Sequence, residues 1–129
     1  MFRILICGDR NWTDAEFILD TLRQVIKAKG LKPKDVLVID GGARGTDEFG
    51  NWAAIRLNCR IKRVFAEWFK FGRAAGPIRN RKMVALKPQL VLAFHNSLAT
   101  SKGTKDMVSV AMKAGISVRV CSNLSAEDK

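Results

Sequence analysis

The chain contains no tyrosine, one histidine, three prolines and three cysteines among 129 residues. His95 stands alone and Cys7, Cys59 and Cys121 are far apart, so neither a zinc-ligand spacing nor a nucleophile–histidine–acid arrangement can be drawn. The cysteines are odd in number and each lies in or beside an apolar run. That is the use of cysteine as a small core residue in a reducing compartment, and it excludes a disulfide framework. No apolar run is long enough to span a bilayer, and no charged segment with a long apolar stretch behind it opens the chain. A cytoplasmic location without membrane contact is therefore expected. Internal repeats and low-complexity linkers are absent as well. Acids are scarce: 12 Asp and Glu face 23 Lys and Arg, a formal charge of +11. Such an excess favours phosphate-bearing partners.

What is present is 47% hydrophobic content, enough for one ordinary core. The expected organisation is a single domain over residues 1–121 and a loose polar tail over residues 122–129. The positive charge is concentrated. From Arg56 to Lys87 there are ten bases, and Glu67 is the sole acid. This block is either a nucleic-acid footprint or a solvated face, and no aromatic strand pattern of the RNA-recognition type accompanies it.

Along the chain, short branched apolar runs alternate with helical patterns, which predicts an α/β fold with a five-stranded, mainly parallel sheet covered on both faces. The strands are expected at residues 2–7, 36–39, 60–65, 90–94 and 116–120, the third at an edge because bases interrupt it. The first helix is expected from Thr13, whose hydroxyl caps it while Glu16 reaches back and Trp12 packs on Phe17. A second helix runs from Thr46 to about Leu57, and a third, with Pro77 in its first turn, toward Leu86. Thr104 is expected to cap the last helix, with Met107, Val108, Ala111 and Met112 facing the sheet.

In an open parallel sheet, ligands bind outside the carboxyl ends of the strands. The unusual residues fall there: Gly8, Asp9 and Arg10 after the first strand, Gly41 to Asp47 after the second, Gly72 to Arg81 after the third, and His95 with Ser101 to Thr104 after the fourth. Gly41, Gly42 and Gly45 are expected to bring backbone N–H groups up to an oxyanion, or else only to turn the chain. This turn has neither the Gly-Lys-Ser/Thr ending of a P-loop nor the spacing of a dinucleotide fingerprint. Arg44, Arg73 and Arg79 each offer a planar fork of donors to a carboxylate or phosphate. Arg79 is the foremost, near the start of a helix where an acid would be the ordinary choice; alternatively it pairs with Asp9 or Asp40. Asp9 and Asp47 are candidates to orient an arginine, to accept ribose hydroxyls or to act as general base. Asn80 fixes the arginine loop. Trp68 or Phe71 stacks on a base or covers the core.

Four ordered segments resemble the YspA/YpsA-related branch of the SLOG superfamily, Rossmann-like proteins akin to the DNA-processing DprA domain and to Lonely Guy or lysine-decarboxylase-like proteins. They are Gly41-Gly42-Ala43-Arg44-Gly45-Thr46-Asp47, Ala66-Glu67-Trp68, Gly72 to Asn80 and Lys102-Gly103-Thr104-Lys105-Asp106-Met107, within a likeness running from Ile4 to Val118. The resemblance implies a Rossmann-like three-layer sandwich with a pocket for a nucleotide or nucleotide-derived ligand. It further implies that Gly8, Asp9, Arg10, Trp12, Gly42, Arg44, Asp47, Arg73, Arg79, Asn80, Gly103 and Thr104 line that pocket, and that relatives occur in phage or bacterial conflict systems. No metal or resident cofactor is implied. The superfamily's phosphate loop is shortened here to Gly103-Thr104, with Lys102 supplying charge in place of backbone donors. Lonely Guy enzymes carry a glutamate where this chain has Met107, which puts base cleavage in doubt unless Asp9 or Asp47 has taken over. Ligand binding is thus the first expectation. An N-glycosidic or phosphoester hydrolase and a nucleic-acid binder are the alternatives. A homodimer is left open, with the Trp52 helix or the strand near Arg60 as its contact.

Overall fold

Each of the five apolar runs becomes a strand of one parallel sheet in the computed structural model, which describes residues 1–124. The strands are β1 Phe2–Gly8, β2 Val36–Asp40, β3 Arg60–Arg63, β4 Leu90–Phe94 and β5 Ser117–Cys121, in the order β3-β2-β1-β4-β5. Ile4 lies opposite Val38 on one side, and Leu5 lies opposite Val91 on the other. The strands are parallel because helices carry the chain back across the sheet each time. These are α1 Ala15–Ala28, α2 Thr46–Arg56, the single turn α3 Trp68–Phe71, α4 Ala75–Ala85 and α5 Gly103–Lys113.

Side-chain alternation along each strand splits the core in two. Ile4, Ile6, Val36, Val38, Leu92 and Phe94 face α1 and α2, while Leu5, Cys7, Ile39, Val91 and Ala93 face α4 and α5. Both sheet faces are covered, so the inner strands read as unbroken apolar runs and the whole forms a Rossmann-like three-layer sandwich. Burying each Ile or Leu stabilises by about 1.5–3 kcal/mol. The two edge strands are the exceptions: in β3 residues 60–62 are exposed, with Arg60 and Lys62 toward solvent, and in β5 only Cys121 is fully buried.

Several helix boundaries differ from expectation. Asp14, not Thr13, caps α1: its Oδ1 accepts from the Phe17 amide at 3.1 Å. A carboxylate at that position satisfies the amide and meets the helix dipole as well. Trp12 does pack on Phe17, with ring centroids 5.9 Å apart. α5 starts at Gly103 without a side-chain cap from Lys102, and Thr104 is inside the helix, its amide donating to Ser101 Oγ at 3.1 Å. Met112 is exposed, one position beyond the buried stripe of Met107, Val108 and Ala111. Cys7 and Cys121 are buried and Cys59 is half-buried, all as free thiols.

Ser122 and Asn123 are hydrogen-bonded to the loop after β4. Asn96 Oδ1 accepts from Ser122 Oγ at 2.8 Å and from the Asn123 amide at 3.1 Å. The expectation for residues 125–129 lies outside the described residues. Among the described residues, no helix is long and apolar enough to cross a membrane.

Candidate functional site

The chain leaves β1 toward one side of the sheet and reaches β4 from the other, so a crevice opens between the carboxyl ends of these two neighbours. Gly8 makes the exit possible, since a Cβ there would collide with the Phe94 carbonyl oxygen. Over the crevice lies a cavity of about 590 Å³, within the range of small-molecule sites. A smaller hollow of about 240 Å³ adjoins it and shares Arg10, Ala43, Arg44, Trp68 and Arg79. The larger one is lined by Gly8, Asp9, Arg10, Arg44, Asp47, Arg73, Arg79, Asn80, Lys102, Gly103 and Thr104, and also by His95 and Asp106. Gly41 and Gly42 reach only the smaller hollow. Segments more than ninety residues apart in the chain thus share one concavity.

Trp12 is not among these residues. It is 5% exposed and packs edge-on to Phe94 at 5.8 Å, with its indole N–H donating to the Asp14 carbonyl at 2.9 Å. Its apolar bulk gains more in the α1 side of the core than at a polar rim, and its one donor is satisfied there. Trp68 behaves oppositely: it is 48% exposed, with the Arg10 guanidinium 5.7 Å from its ring centroid. It does not cover the core.

Arg79 is 9% exposed. α4 begins at Ala75, two residues before Pro77, so Arg79 lies in the second turn, where the helix dipole contributes less than expected. It makes no ion pair with Asp9 or Asp40 among the described residues. Instead Nη1 donates to the Gly41 carbonyl at 2.7 Å and Nε donates to Asn80 Oδ1 at 3.2 Å. Asn80 in turn donates from Nδ2 to Asp106 Oδ2 at 2.9 Å. Gly41 and Asn80 therefore hold the guanidinium directly and Asp106 holds Asn80, an arrangement that sequence spacing did not reveal. Burial pushes the Arg79 pKa down, against the opposing pull of Asp47, yet a guanidinium remains a cation.

The glycine turn is occupied from within. Asp47 Oδ2 accepts from the amides of Gly41 at 3.2 Å and Ala43 at 3.1 Å, and Asp40 Oδ1 accepts from that of Gly42 at 2.7 Å. The Thr46 amide donates to the Asp9 carbonyl at 3.1 Å. The oxyanions expected from a ligand here are the protein's own carboxylates, which the nearby chain delivers at no cost in association entropy. Gly45 sits at φ +72°, in the left-handed region, where a Cβ would run into the Arg10 carbonyl. Asp40 is fully buried; Arg63 Nε reaches it at 2.9 Å and also pairs with Glu48. Burial raises the Asp40 pKa, while the Gly42 amide and Arg63 act against it. Arg63 had looked like one more base of the charged block, and only the edge pairing of β3 with β2 identifies its role.

Burial raises Asp47 to a pKa of about 6, helped by the Asp40 charge and opposed by the Gly41 and Ala43 amides and by Arg79. Asp9 Oδ1 accepts from the Asn11 amide at 2.9 Å, and Asn11 Oδ1 accepts from Arg44 Nη2 at 3.3 Å. Met107 is 1% exposed and belongs to the core beneath the cavity, so no carboxylate occupies that position. Five bases, Arg10, Arg44, Arg73, Arg79 and Lys102, oppose the acids Asp9, Asp47 and Asp106 around the cavity wall. The field favours an anion.

The family model for YspA, cpYpsA-related SLOG proteins matches residues 2–71, which is more than half of the chain. The chain belongs to this SLOG family. The Gene 61 protein of Mycobacterium phage D29 is 36% identical over 123 residues, covering 92% of this chain and 94% of that one. A solved structure of DNA processing protein A (DprA) from Streptococcus pneumoniae superposes with a TM-score of 0.69 at 15% identity, over 93% of this chain. The SLOG chain spans 50% of that DprA chain, and the likeness concerns the fold.

Proposed function

We propose that this SLOG protein binds a nucleotide or nucleotide-derived molecule by its phosphate, in the cavity over the β1–β4 crevice. The observation that carries the proposal is the buried Arg79 guanidinium, fixed on two edges by Gly41 and Asn80 and bordering a hollow where bases outnumber acids. Such a prearranged fork loses little conformational freedom on meeting a phosphate. The start of α5, where the neutral Ser101 hydroxyl takes the Thr104 amide, adds further amide donors and a positive end on the same wall, with Lys102 beside it. The cavity volume suits a single nucleotide. Family membership supports a nucleotide- or nucleic-acid-related binding role in general.

Calorimetric titration with inorganic phosphate, pyrophosphate and a panel of nucleoside monophosphates tests this. Saturable binding of at least one of them is expected, weakened at least tenfold in Arg79→Ala. Equal affinity in that variant would remove Arg79 from the site, and no binding by any member would end the proposal.

A second reading, binding of single-stranded nucleic acid, has one observation in its favour. Phe65, Trp68 and Phe69 are exposed on the link between β3 and α4, amid the basic block, and Phe65 and Trp68 border the smaller hollow. Aromatics interleaved with bases are the elements of a strand-binding surface. It requires binding to oligonucleotides whose affinity falls steeply with salt, since each neutralised phosphate adds to the slope. Oligonucleotides that fail to bind even at low salt would dispose of it.

A further inference from the structure

The cavity contains a second buried charge that a phosphate does not explain. Asp47 is 6% exposed and borders the same hollow as Arg79. Its Oδ2 takes both turn amides, while Oδ1 makes no hydrogen bond among the described residues. No ion pair joins it to Arg79 among those residues either, although the two charges act on one another. A carboxylate oxygen without a protein partner at an anion site repels the anion unless the ligand also donates a hydrogen bond to it. The ligand that resolves this carries its phosphate and a hydrogen-bond donor a short distance apart. In a nucleotide the hydrogen-bond donors nearest the phosphate are the sugar hydroxyls. Asp40, at the carboxyl end of β2, cannot accept from them, because it is wholly buried under the turn and lines neither hollow; Gly42 and Arg63 both bond its Oδ1, and its Oδ2 has no partner among the described residues.

We propose that Asp47 recognises the sugar: its Oδ1 accepts a hydrogen bond from a ribose hydroxyl of the ligand whose phosphate rests at Arg79 and the start of α5. The site then selects ribosyl phosphates over phosphate esters that carry no hydroxyls. This inference rests on the phosphate-binding proposal for the same cavity.

The test compares ribose 5-phosphate with methyl phosphate by calorimetry, in the wild-type protein and in Asp47→Asn. Asparagine keeps one carbonyl oxygen for the Gly41 and Ala43 amides and puts an NH2 donor in place of Oδ1. Thermal melting checks that the variant folds. In the wild type, ribose 5-phosphate is expected to bind roughly tenfold more tightly than methyl phosphate, and in the variant the two are expected to agree within about twofold. Equal affinities in the wild type would overturn the sugar contact while leaving phosphate binding intact. A preference that survives in Asp47→Asn would assign the contact to another residue. If neither compound binds, this inference and the phosphate proposal fall together. The wild-type comparison needs no variant, so the inference stays exposed to refutation even if the substitution prevents folding.

Discussion

Two turns at the rim of the sheet began with similar promise and ended differently. The turn after β2 has three glycines and the N-terminus of α2, yet Asp40, Asp47 and the Asp9 carbonyl take its Gly41, Gly42, Ala43 and Thr46 amides. The turn after β4 has one glycine, and among the described residues its side-chain acceptor at the helix start is the neutral Ser101 hydroxyl. A glycine-rich loop before a helix is thus an anion site whose anion need not be foreign. What decides is whether a carboxylate lies within a few residues and is able to fold back, as Asp47 does from the first turn of α2. The closed turn then acts as scaffold: its Gly41 carbonyl orients Arg79.

The largest effect should come from the carboxylate that closes the first turn. Burial holds the Asp47 pKa at about 6, above its ordinary 3.8. An acid whose folded pKa is raised binds more protons in the folded state, so its contribution to stability declines as pH rises from about 4 to about 6 and is flat beyond. A shift of that size corresponds to roughly 3 kcal/mol. Asp47→Asn, which cannot ionise, is expected to match the wild type near pH 4 and to exceed it by up to about that amount near pH 7. Thermal melts of both proteins across this range check it, and a constant gap would show that the closed turn favours its carboxylate charged.

Arg79→Ala comes next. It removes two buried hydrogen bonds from a cation, but also the desolvation of that buried charge, a net cost of about 1.5–3 kcal/mol. It also leaves the Gly41 carbonyl unsatisfied. Denaturant titration should show this loss together with the loss of phosphate affinity. Gly41→Ala attacks the same contact from the other partner, since its Cβ would lie 2.5 Å from Arg79 Nη1. It should weaken phosphate binding while lowering stability less than Arg79→Ala, because a flexible guanidinium can move. Full affinity in Gly41→Ala would mean that the orientation of Arg79 is immaterial.

The fold was legible in the sequence because its period signals are local. β4 was placed residue for residue, and β3 was recognised as an edge from its interrupting bases. The membership of the cavity was also largely legible, since glycines, arginines and Thr104 cluster where strands end. The partners of these residues were not. Arg63 on Asp40, Asn80 between Arg79 and Asp106, and Asp47 on the glycine turn depend on which elements lie side by side. Trp12 was misplaced for a related reason: the motif fixes its position after β1, while its burial depends on Phe17 and Phe94 from α1 and β4. Capping was lost to neighbours one and three residues away, Asp14 and Ser101, whose competition with Thr13 and Thr104 is settled by loop geometry.

The second turn offers a milder contrast. Ser101→Ala deletes the acceptor of the Thr104 amide, and caps of this kind contribute about 1 kcal/mol. That amide would then be free for a ligand oxygen. The variant is therefore expected to melt lower when empty and to regain much of the difference in saturating phosphate, because a ligand that binds more tightly to the folded state stabilises it in proportion to the logarithm of its saturation. Differential scanning fluorimetry with and without phosphate makes the measurement. If phosphate raises both proteins equally, the Thr104 amide is not a ligand donor, and the start of α5 would join the turn after β2 as a structure already complete without its ligand.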